Sequence, residues 1–195
     1  MSRKSLTLYT VGHSTRTLTE FLKLLKAHAI RQLVDVRTVP KSRYVPWFNQ
    51  KKLSLSLQKA GVHYHHLPAL GGLRHTRKDS PNGGWHNASF RGFADYMGTS
   101  EFEKGLKTLN ALLPKRKTAV MCAESVPWRC HRSLIADAET ARGIPVQHLM
   151  SPTSSRLHEM TSFAVVNKKT RPPKVSYPFD DDGKSRLKSS KISKN

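Results

Sequence analysis

In the N-terminal part of the chain, two short apolar runs flank a segment with the pattern of an amphipathic helix. Residues 6–11 and 30–36 form the two apolar runs and predict strands. Between them, Thr17-Leu-Thr-Glu20 is a capping-box pattern that predicts a helix extending to about His28. The apolar side chains of this helix are Phe21, Leu22, Leu24 and Leu25. A strand, a helix and a second strand in this order predict a βαβ unit, which requires parallel strands and a right-handed crossover.

The same alternation continues and predicts an α/β fold built on a parallel sheet. Further strands are predicted at residues 62–67, 117–122 and 145–149. Further helices are predicted at residues 50–60, 90–113 (two parts separated near Gly98), 130–142 and 152–166. Residues 68–89 contain several glycines and basic residues, and a loop of this length is usually functional or mobile.

The chain of 195 residues is long enough for one such domain, which we place at residues 1–167. We expect a three-layer, single-domain architecture. Residues 168–195 are rich in Lys, Ser and Pro and contain almost no residues that form a core. We therefore predict that this segment is a basic, disordered C-terminal tail.

The net charge indicates the kind of partner. The formal charge is +21, and residues 168–195 contribute only nine basic and three acidic residues to it, so the predicted domain is itself basic. A surplus of this size attracts polyanions, of which nucleic acid is the commonest. No basic amphipathic helix favours a membrane surface. We predict a nucleic-acid partner, favour DNA over RNA without excluding RNA, and leave the oligomeric state open.

The sequence also predicts a soluble, cytoplasmic protein. No run approaches the roughly 18 apolar residues that span a bilayer, and the N-terminus has no apolar core of signal-peptide length. The two cysteines, Cys122 and Cys130, lie eight positions apart, whereas a disulfide scaffold would use more cysteines and spread them along the chain.

Polar side chains collect where the predicted strands end. His13 follows the first strand, Asp35 and Arg37 end the second, and Cys122 and Glu124 follow the fourth. His65 and His66 end the third strand, and Arg129, Cys130, His131 and Arg132 stand near the next helix start. Because ligands bind at the carboxyl ends of parallel strands, we expect these side chains to share one site.

The carboxylates are the first candidates for catalysis. Glu124 follows a buried strand, where desolvation would raise its pKa and nearby arginines would lower it. Asp35 is a second candidate, or else it forms a structural ion pair with Arg37, Arg129 or Arg132. Arg129 and Arg132 are candidates for clamping a phosphate beside a helix start. The predicted catalytic residues are Glu124, Asp35, Cys122 and His13.

Cys122 has three interpretations. A cysteine at a strand end, followed by a loop and an arginine, resembles phosphatases and sulfurtransferases of the rhodanese kind. Their loop places arginine sixth after the cysteine, whereas Arg129 is seventh and Pro127 removes one N–H donor. A buried thiol is more often an inert core residue. A zinc site with Cys130, His131 and His13 fits no standard spacing, so we predict no metal and no cofactor.

Aromatic residues among cations favour nucleic-acid binding, because bases stack on aromatic rings while cations contact phosphates. Tyr44, Trp47 and Phe48 follow Arg37, Lys41 and Arg43, and Trp85 lies in the long basic loop. Alternatively, Trp47 and Phe48 cover the core. The predicted nucleic-acid- or phosphate-binding residues are Arg37, Arg43, Tyr44, Trp47, Arg91, Arg129, His131 and Arg132.

Five motifs together resemble a bacterial and archaeal family, "domain of unknown function 488". They are Thr-Val-Gly-His-Ser-Thr at 10–15, Leu-Val-Asp-Val-Arg at 33–37, Pro-Ala-Leu-Gly-Gly at 68–72, Phe-Arg-Gly-Phe-Ala-Asp-Tyr-Met at 90–97, and Cys-Ala-Glu with Cys-His-Arg at 122–132. The resemblance runs from about residue 7 to 150. It implies a Rossmann-like α/β fold with these motifs around one pocket, and no settled activity.

These observations lead to a nucleic-acid-acting hydrolase, resembling a DNA glycosylase of base repair, as the first functional hypothesis. Glu124 would activate water against an N-glycosidic bond, supported by Asp35. The alternatives are a non-enzymatic module that binds a nucleotide or phosphate in the same pocket, and a thiol-dependent enzyme acting through Cys122.

Overall fold

The computed structural model describes residues 6–179, and its core is a six-stranded sheet. The strands are β1 (Leu8–Gly12), β2 (Gln32–Asp35), β3 (His63–His66), β4 (Thr118–Cys122), β5 (Val146–Ser151) and β6 (Ser154–Leu157). Their order is β3-β2-β4-β1-β5-β6, with the first five parallel and β6 antiparallel to β5. The predicted α/β fold with a mostly parallel sheet is confirmed. The order differs from the 3-2-1-4-5-6 order of dinucleotide-binding folds.

Five α-helices connect these strands: α1 (Leu18–Ala27), α2 (Gln50–Lys59), α3 (Ala88–Tyr96), α4 (Ser100–Leu112) and α5 (Arg132–Ala141). The predicted capping box begins α1. The Thr17 hydroxyl accepts the Glu20 backbone N–H at 3.2 Å, and the Glu20 carboxylate accepts the Thr17 backbone N–H at 2.7 Å. These two bonds satisfy donors that a helix N-terminus otherwise leaves free.

Helices cover both faces of the sheet. Leu33, Ala119 and Met121 pack in one hydrophobic cluster with the buried side chains of α1 and α2. Val34, Val120 and Cys122 point the other way, into a second cluster formed with α3, α4 and α5. Since side chains alternate across a strand, the fully buried run of β4 contributes to both clusters. Cys122 therefore lies on the side of α3 to α5.

The connections diverge between β1 and β4. From β1 the chain passes through α1 to β2, whereas from the neighbouring β4 it passes through α5 in the opposite direction to β5. The loops after these two strands consequently lead to opposite faces and leave a crevice between them. In open α/β sheets such a switch point is where ligands bind.

The predicted helix at residues 152–166 is wrong. The segment turns back after β5, and β6 pairs antiparallel with it along the edge of the sheet. Leu157, Met160 and Phe163 have helical spacing, but the free backbone groups of β5 offer a partner that the spacing does not reveal.

The predicted disordered tail is also wrong for residues 168–179. β7 (Val165–Asn167) and β8 (Lys174–Ser176) form a small antiparallel sheet, and the next residue, Tyr177, is fully buried. The Tyr177 hydroxyl donates to Asp137 at 2.8 Å. One large aromatic side chain thus fixes a segment of otherwise polar composition. The rest of the predicted tail, residues 180–195, lies outside the described residues.

Within residues 6–179, none of the helices combines the length and the apolar character that crossing a bilayer would require.

Candidate functional site

A cleft of about 450 Å³ opens at the carboxyl ends of β1, β2 and β4. Of the predicted site residues, it brings together His13, Arg37, Cys122, Glu124, Arg129 and His131. Asp35, Arg43, Tyr44, Trp47, Arg91 and Arg132 do not line it. The cleft therefore unites chemistry from β1, β2 and the segment between β4 and α5, as the strand-end argument predicted.

The floor of the cleft contains two thiols and an imidazole. Cys122 ends β4, while Cys130 and His131 directly precede α5. Nδ1 of His131 lies 3.8 Å from Sγ of Cys122 and 3.7 Å from Sγ of Cys130. The three atoms lie within 4.8 Å of one another, and both cysteines are buried. We call these three residues the Cys/His cluster.

His131 is oriented by the loop after β3. Its Nε2 contacts the carbonyl oxygen of Leu70 at 3.1 Å. Because a carbonyl can only accept, Nε2 donates its proton to Leu70, and Nδ1 is the ring nitrogen that faces the two sulfurs. A Cβ at Gly72 would overlap the His131 ring, so the glycine at this position permits the close approach. The Pro-Ala-Leu-Gly-Gly motif thus supports the imidazole from two sides.

The two cysteines differ in acidity. A hydrogen bond from the Cys130 thiol, followed by the interaction with His131, holds the pKa of Cys122 well below its ordinary value. The pKa of Cys130 is raised well above its ordinary value because its proton is held by Cys122 and because it is buried. Cys122 is therefore the thiol that loses its proton first.

Asp35 forms the ion pair that was one of its two predicted roles. Its carboxylate binds the Arg37 guanidinium through contacts of 2.6 and 2.9 Å and also accepts the Tyr64 hydroxyl at 2.8 Å. Asp35 is fully buried and Arg37 is 7% exposed. Both Asp35 oxygens are occupied, so the residue acts on the cleft through the position it gives Arg37.

Arg37 in turn contacts His13. Nη1 of Arg37 lies 3.2 Å from Nε2 of His13, and Nδ1 of His13 donates to the carbonyl oxygen of Ser14 at 2.8 Å. The imidazole stacks on Phe48 at 4.2 Å between ring centroids. Burial lowers the pKa of His13, and the positive charge of Arg37 lowers it further. His13 is thus a neutral ring whose two nitrogens both have partners.

Glu124 lines the cleft but is exposed rather than desolvated. Its Oε1 accepts the Val126 backbone N–H at 3.0 Å and the Ser125 hydroxyl at 3.2 Å. The Val126 N–H is the largest cause of a pKa below the ordinary value, and Arg132 adds a smaller effect. The carboxylate is therefore an anion whose Oε1 is held by its own loop. Of the two opposing effects expected from the sequence, burial raises the pKa and Arg132 lowers it, but the Val126 N–H outweighs both.

Arg132 does not occupy the predicted phosphate-binding position. It is 1% exposed, and its guanidinium donates to the carbonyl oxygens of Glu124 and Ser125, the latter at 2.7 Å. A Cβ at Gly12 would overlap the Glu124 carbonyl, which shows how closely β1 approaches the same loop. Arg132 lies beneath this loop and fixes its shape, because a guanidinium can only donate hydrogen bonds and its acceptors here are two carbonyl oxygens of the loop.

The remaining predicted nucleic-acid contacts separate into exposed and structural residues. Arg129 is exposed at the cleft, and Tyr44 is 93% exposed beside the exposed Arg43. Trp47 is half-buried and donates its indole N–H to the Arg16 carbonyl at 2.9 Å. This placement agrees with the alternative expectation that Trp47 covers the core. Arg91 donates to the Trp85 carbonyl at 2.8 Å and does not reach the cleft.

Sequence reasoning missed several walls of the cleft. The segment after β2 contributes Thr38, Val39, Lys41 and Ser42. The loop after β3 contributes Gly72 and Leu73, and the first turn of α3 contributes Ser89 and Phe90. Lys41 was noted only as a cation near the aromatic residues. The adjacent glycines at 71 and 72 were a usable signal, since paired glycines often mark a close approach of the backbone to another group.

Comparison with known proteins identifies one family. A family model described as "Domain of unknown function DUF488" matches residues 17–138, more than half of the chain, which confirms the predicted resemblance. No curated protein and no solved structure matches the chain.

Proposed function

The chain belongs to the family of Domain of unknown function DUF488, whose description specifies no activity, and we propose from the cleft itself that the protein is a nucleic-acid-acting hydrolase. The proposed reaction is hydrolysis of the N-glycosidic bond of a damaged or modified base. One observation carries the proposal: a single cleft combines apolar walls, a carboxylate and cations without acidic partners.

The walls suit an extruded base. Val39, Leu73 and Phe90 line the cleft with aliphatic and aromatic surface, and its volume of about 450 Å³ is in the usual range for small-ligand sites. Enzymes that act on a base within a duplex extrude it into such a pocket and hold it by stacking and apolar contact. Phe90 lines the cleft and stacks on Trp85 at 4.6 Å between ring centroids, so in this proposal the base stacks on the other face of the ring.

The cations suit phosphates. Lys41 and Arg129 line the cleft, and within residues 6–179 neither forms a salt bridge. The exposed Arg43 and Tyr44 lie a few residues beyond Lys41. Together with a net charge of +21, these side chains supply the attraction that holds a nucleic-acid strand across the opening.

In this proposal Glu124 acts on water. Its Oε1 is bound by the loop, whereas Oε2 has no hydrogen-bond partner among the described residues. Oε2 accepts a proton from water while the water oxygen bonds to the sugar carbon, and the bond from that carbon to the base nitrogen breaks. The base departs with the electron pair of that bond and takes up the proton that Glu124 accepted, which returns Glu124 to its carboxylate form. The products are an abasic site and the free base.

The first test incubates the protein with duplexes that contain alkylated or deaminated bases and measures abasic sites. We expect product with at least one lesion and its loss in Glu124→Gln, while the exposed control Glu159→Gln stays active. Tight DNA binding without product from any lesion would contradict the enzymatic proposal and favour a non-enzymatic nucleotide- or phosphate-binding module.

A thiol-dependent enzyme is the second candidate, because the His131 imidazole lies 3.8 Å from Sγ of Cys122 inside the same cleft. Retention of every activity in Cys122→Ser would exclude it. For both candidates we propose a cytoplasmic location, since a reducing compartment keeps Cys122 and Cys130 as thiols.

A further inference from the structure

We propose that the Cys/His cluster is a zinc site in which Cys122, Cys130 and His131 supply three ligands and the fourth position opens to the cleft. Zinc in proteins binds thiolate sulfur at about 2.3 Å and imidazole nitrogen at about 2.0–2.1 Å. Tetrahedral angles then place sulfur and nitrogen roughly 3.5–3.6 Å apart. The observed Nδ1–Sγ separations are 3.8 and 3.7 Å, and all three ligand atoms lie within 4.8 Å of one another. Shifts of about 1 Å or less would therefore place them on one ion.

The hydrogen bond of His131 is the second observation that indicates a metal. Histidines that bind metals donate their other ring N–H to a carboxylate or a backbone carbonyl, which fixes the ring and selects the tautomer. Nε2–H of His131 has such a partner in the carbonyl of Leu70, and Nδ1, the nitrogen that would bind the ion, faces both sulfurs.

The ligand set selects the kind of ion. Two thiolates and an imidazole are soft to borderline donors, which bind Zn²⁺ in preference to Mg²⁺ or Ca²⁺. Cys122 and Cys130 are 8% and 4% exposed, and a bound divalent ion would compensate the charge of two thiolates at these buried positions.

No protein group among residues 6–179 completes the site. His13 was the fourth ligand considered from the sequence, but its Nδ1 is bound to Ser14 and its Nε2 contacts Arg37. All three cluster residues line the cleft, so the open position faces the space assigned to the substrate. Three protein ligands with an open position are the arrangement of catalytic zinc, which lowers the pKa of a bound water.

The binding of the ion does not depend on the reaction proposed above, whereas the use of the ion to activate water rests on it. The two claims therefore fail separately. Stoichiometric zinc with no base release from any lesion leaves the metal site in place and contradicts the hydrolase. Full base release by metal-free protein contradicts the use of the ion to activate water and leaves the hydrolase in place, while the metal site is judged by the zinc content and the cobalt titration alone.

The experiment measures metal content and cobalt spectra on the full chain. We expect about one zinc per chain after purification without chelator. Apo-protein titrated with Co²⁺ should give the intense visible bands of tetrahedral cobalt together with thiolate-to-cobalt charge transfer. Cys130→Ser and His131→Gln should each lower zinc affinity at least tenfold, whereas the exposed control His63→Gln should not change it.

The cobalt titration of the wild type keeps the proposal testable if a ligand variant fails to fold. Absence of stoichiometric zinc, together with a featureless cobalt titration, would overturn the proposal. So would a Cys122–Cys130 disulfide in protein purified without oxidant, because its sulfurs cannot bind the ion as thiolates.

Discussion

Nε2 of His131 donates a hydrogen bond to the carbonyl oxygen of Leu70 across 61 positions of sequence, at a distance of 3.1 Å. This bond joins the turn Pro68–Leu70, which follows β3, to the segment that precedes α5. It determines which nitrogen of the imidazole faces the sulfurs of Cys122 and Cys130. The chemistry of the cleft floor therefore depends on a loop that contributes no reactive group.

Gly72→Ala tests this dependence. The new methyl group would overlap the His131 ring and displace it from the two sulfurs. We expect zinc affinity, measured by competition with a chelator, to fall about 10–100-fold, as for other disturbances of the groups that orient a ligand. Gly98→Ala, at an exposed position remote from the cleft, is the control and should leave the affinity unchanged. Equal affinity in all three proteins would contradict the orienting role.

Substitutions of Arg132 and Arg129 should affect different properties, the first the stability of the fold and the second DNA binding. Arg132→Met removes a buried cation from the carbonyls of Glu124 and Ser125, and we expect the free energy of unfolding to fall by about 2–4 kcal/mol. Arg129→Met should change it by less than about 0.5 kcal/mol, because Arg129 is exposed. Denaturant unfolding measures both differences.

The same two variants give the opposite order in DNA binding. Arg129→Met should lower affinity at every sequence and reduce the slope of log K against log salt by about 1, as expected for one lost phosphate contact. Arg132→Met, assayed where it is folded, should keep the wild-type slope. A reduced slope in Arg132→Met alone would restore the phosphate-binding role that its burial argues against.

Asp35→Asn tests whether Asp35 is structural. Arg37 would remain buried beside a neutral amide, so we expect the free energy of unfolding to fall by about 3–5 kcal/mol. Asp79→Asn is the matched control because Asp79 pairs with Arg77 at the surface, and it should change stability little. Wild-type stability with abolished base release in Asp35→Asn would instead assign it a catalytic role.

Glu139 predicts a pH dependence of stability. Burial raises its pKa to about 7, above the ordinary 4.5, so the folded state holds a proton that the unfolded state releases between these values. Stability from this group is present below pH 4.5 and is lost as the pH rises toward 7. The free energy of unfolding of Glu139→Gln minus that of the wild type should rise by about 2 kcal/mol from pH 5 to pH 8. Denaturant unfolding at both values checks this, and a constant difference would contradict it.

Local patterns predicted most elements of the fold because their causes are local. The capping box at Thr17 and Glu20 lies within one helical turn. The continuous apolar run of β4 by itself indicates a strand that is buried on both faces, and every residue of β4 is buried. Polar residues at the strand ends predicted the location of the cleft, because a parallel sheet brings the carboxyl ends of its strands to one edge.

Distant contacts decided the rest. Arg132 is buried because the carbonyls of Glu124 and Ser125 lie beside it, and its position near a helix start does not reveal this. Residues 168–179 are ordered because Tyr177 enters a pocket beside Asp137, forty positions earlier. The spacing of Cys122, Cys130 and His131 fits no standard zinc pattern, so the sequence predicted no metal there. The folded loop between Cys122 and Cys130 nevertheless brings the three side chains together, which the spacing does not reveal.

The rate of base release by bound enzyme is the most direct measure of whether this cleft is a hydrolytic site. On a duplex with a lesion that the wild type processes, Glu124→Gln should release base at least 100-fold more slowly, as expected when a general base is lost. Its DNA affinity at the same salt concentration should stay close to that of the wild type. Equal rates of base release in the two proteins would contradict the account.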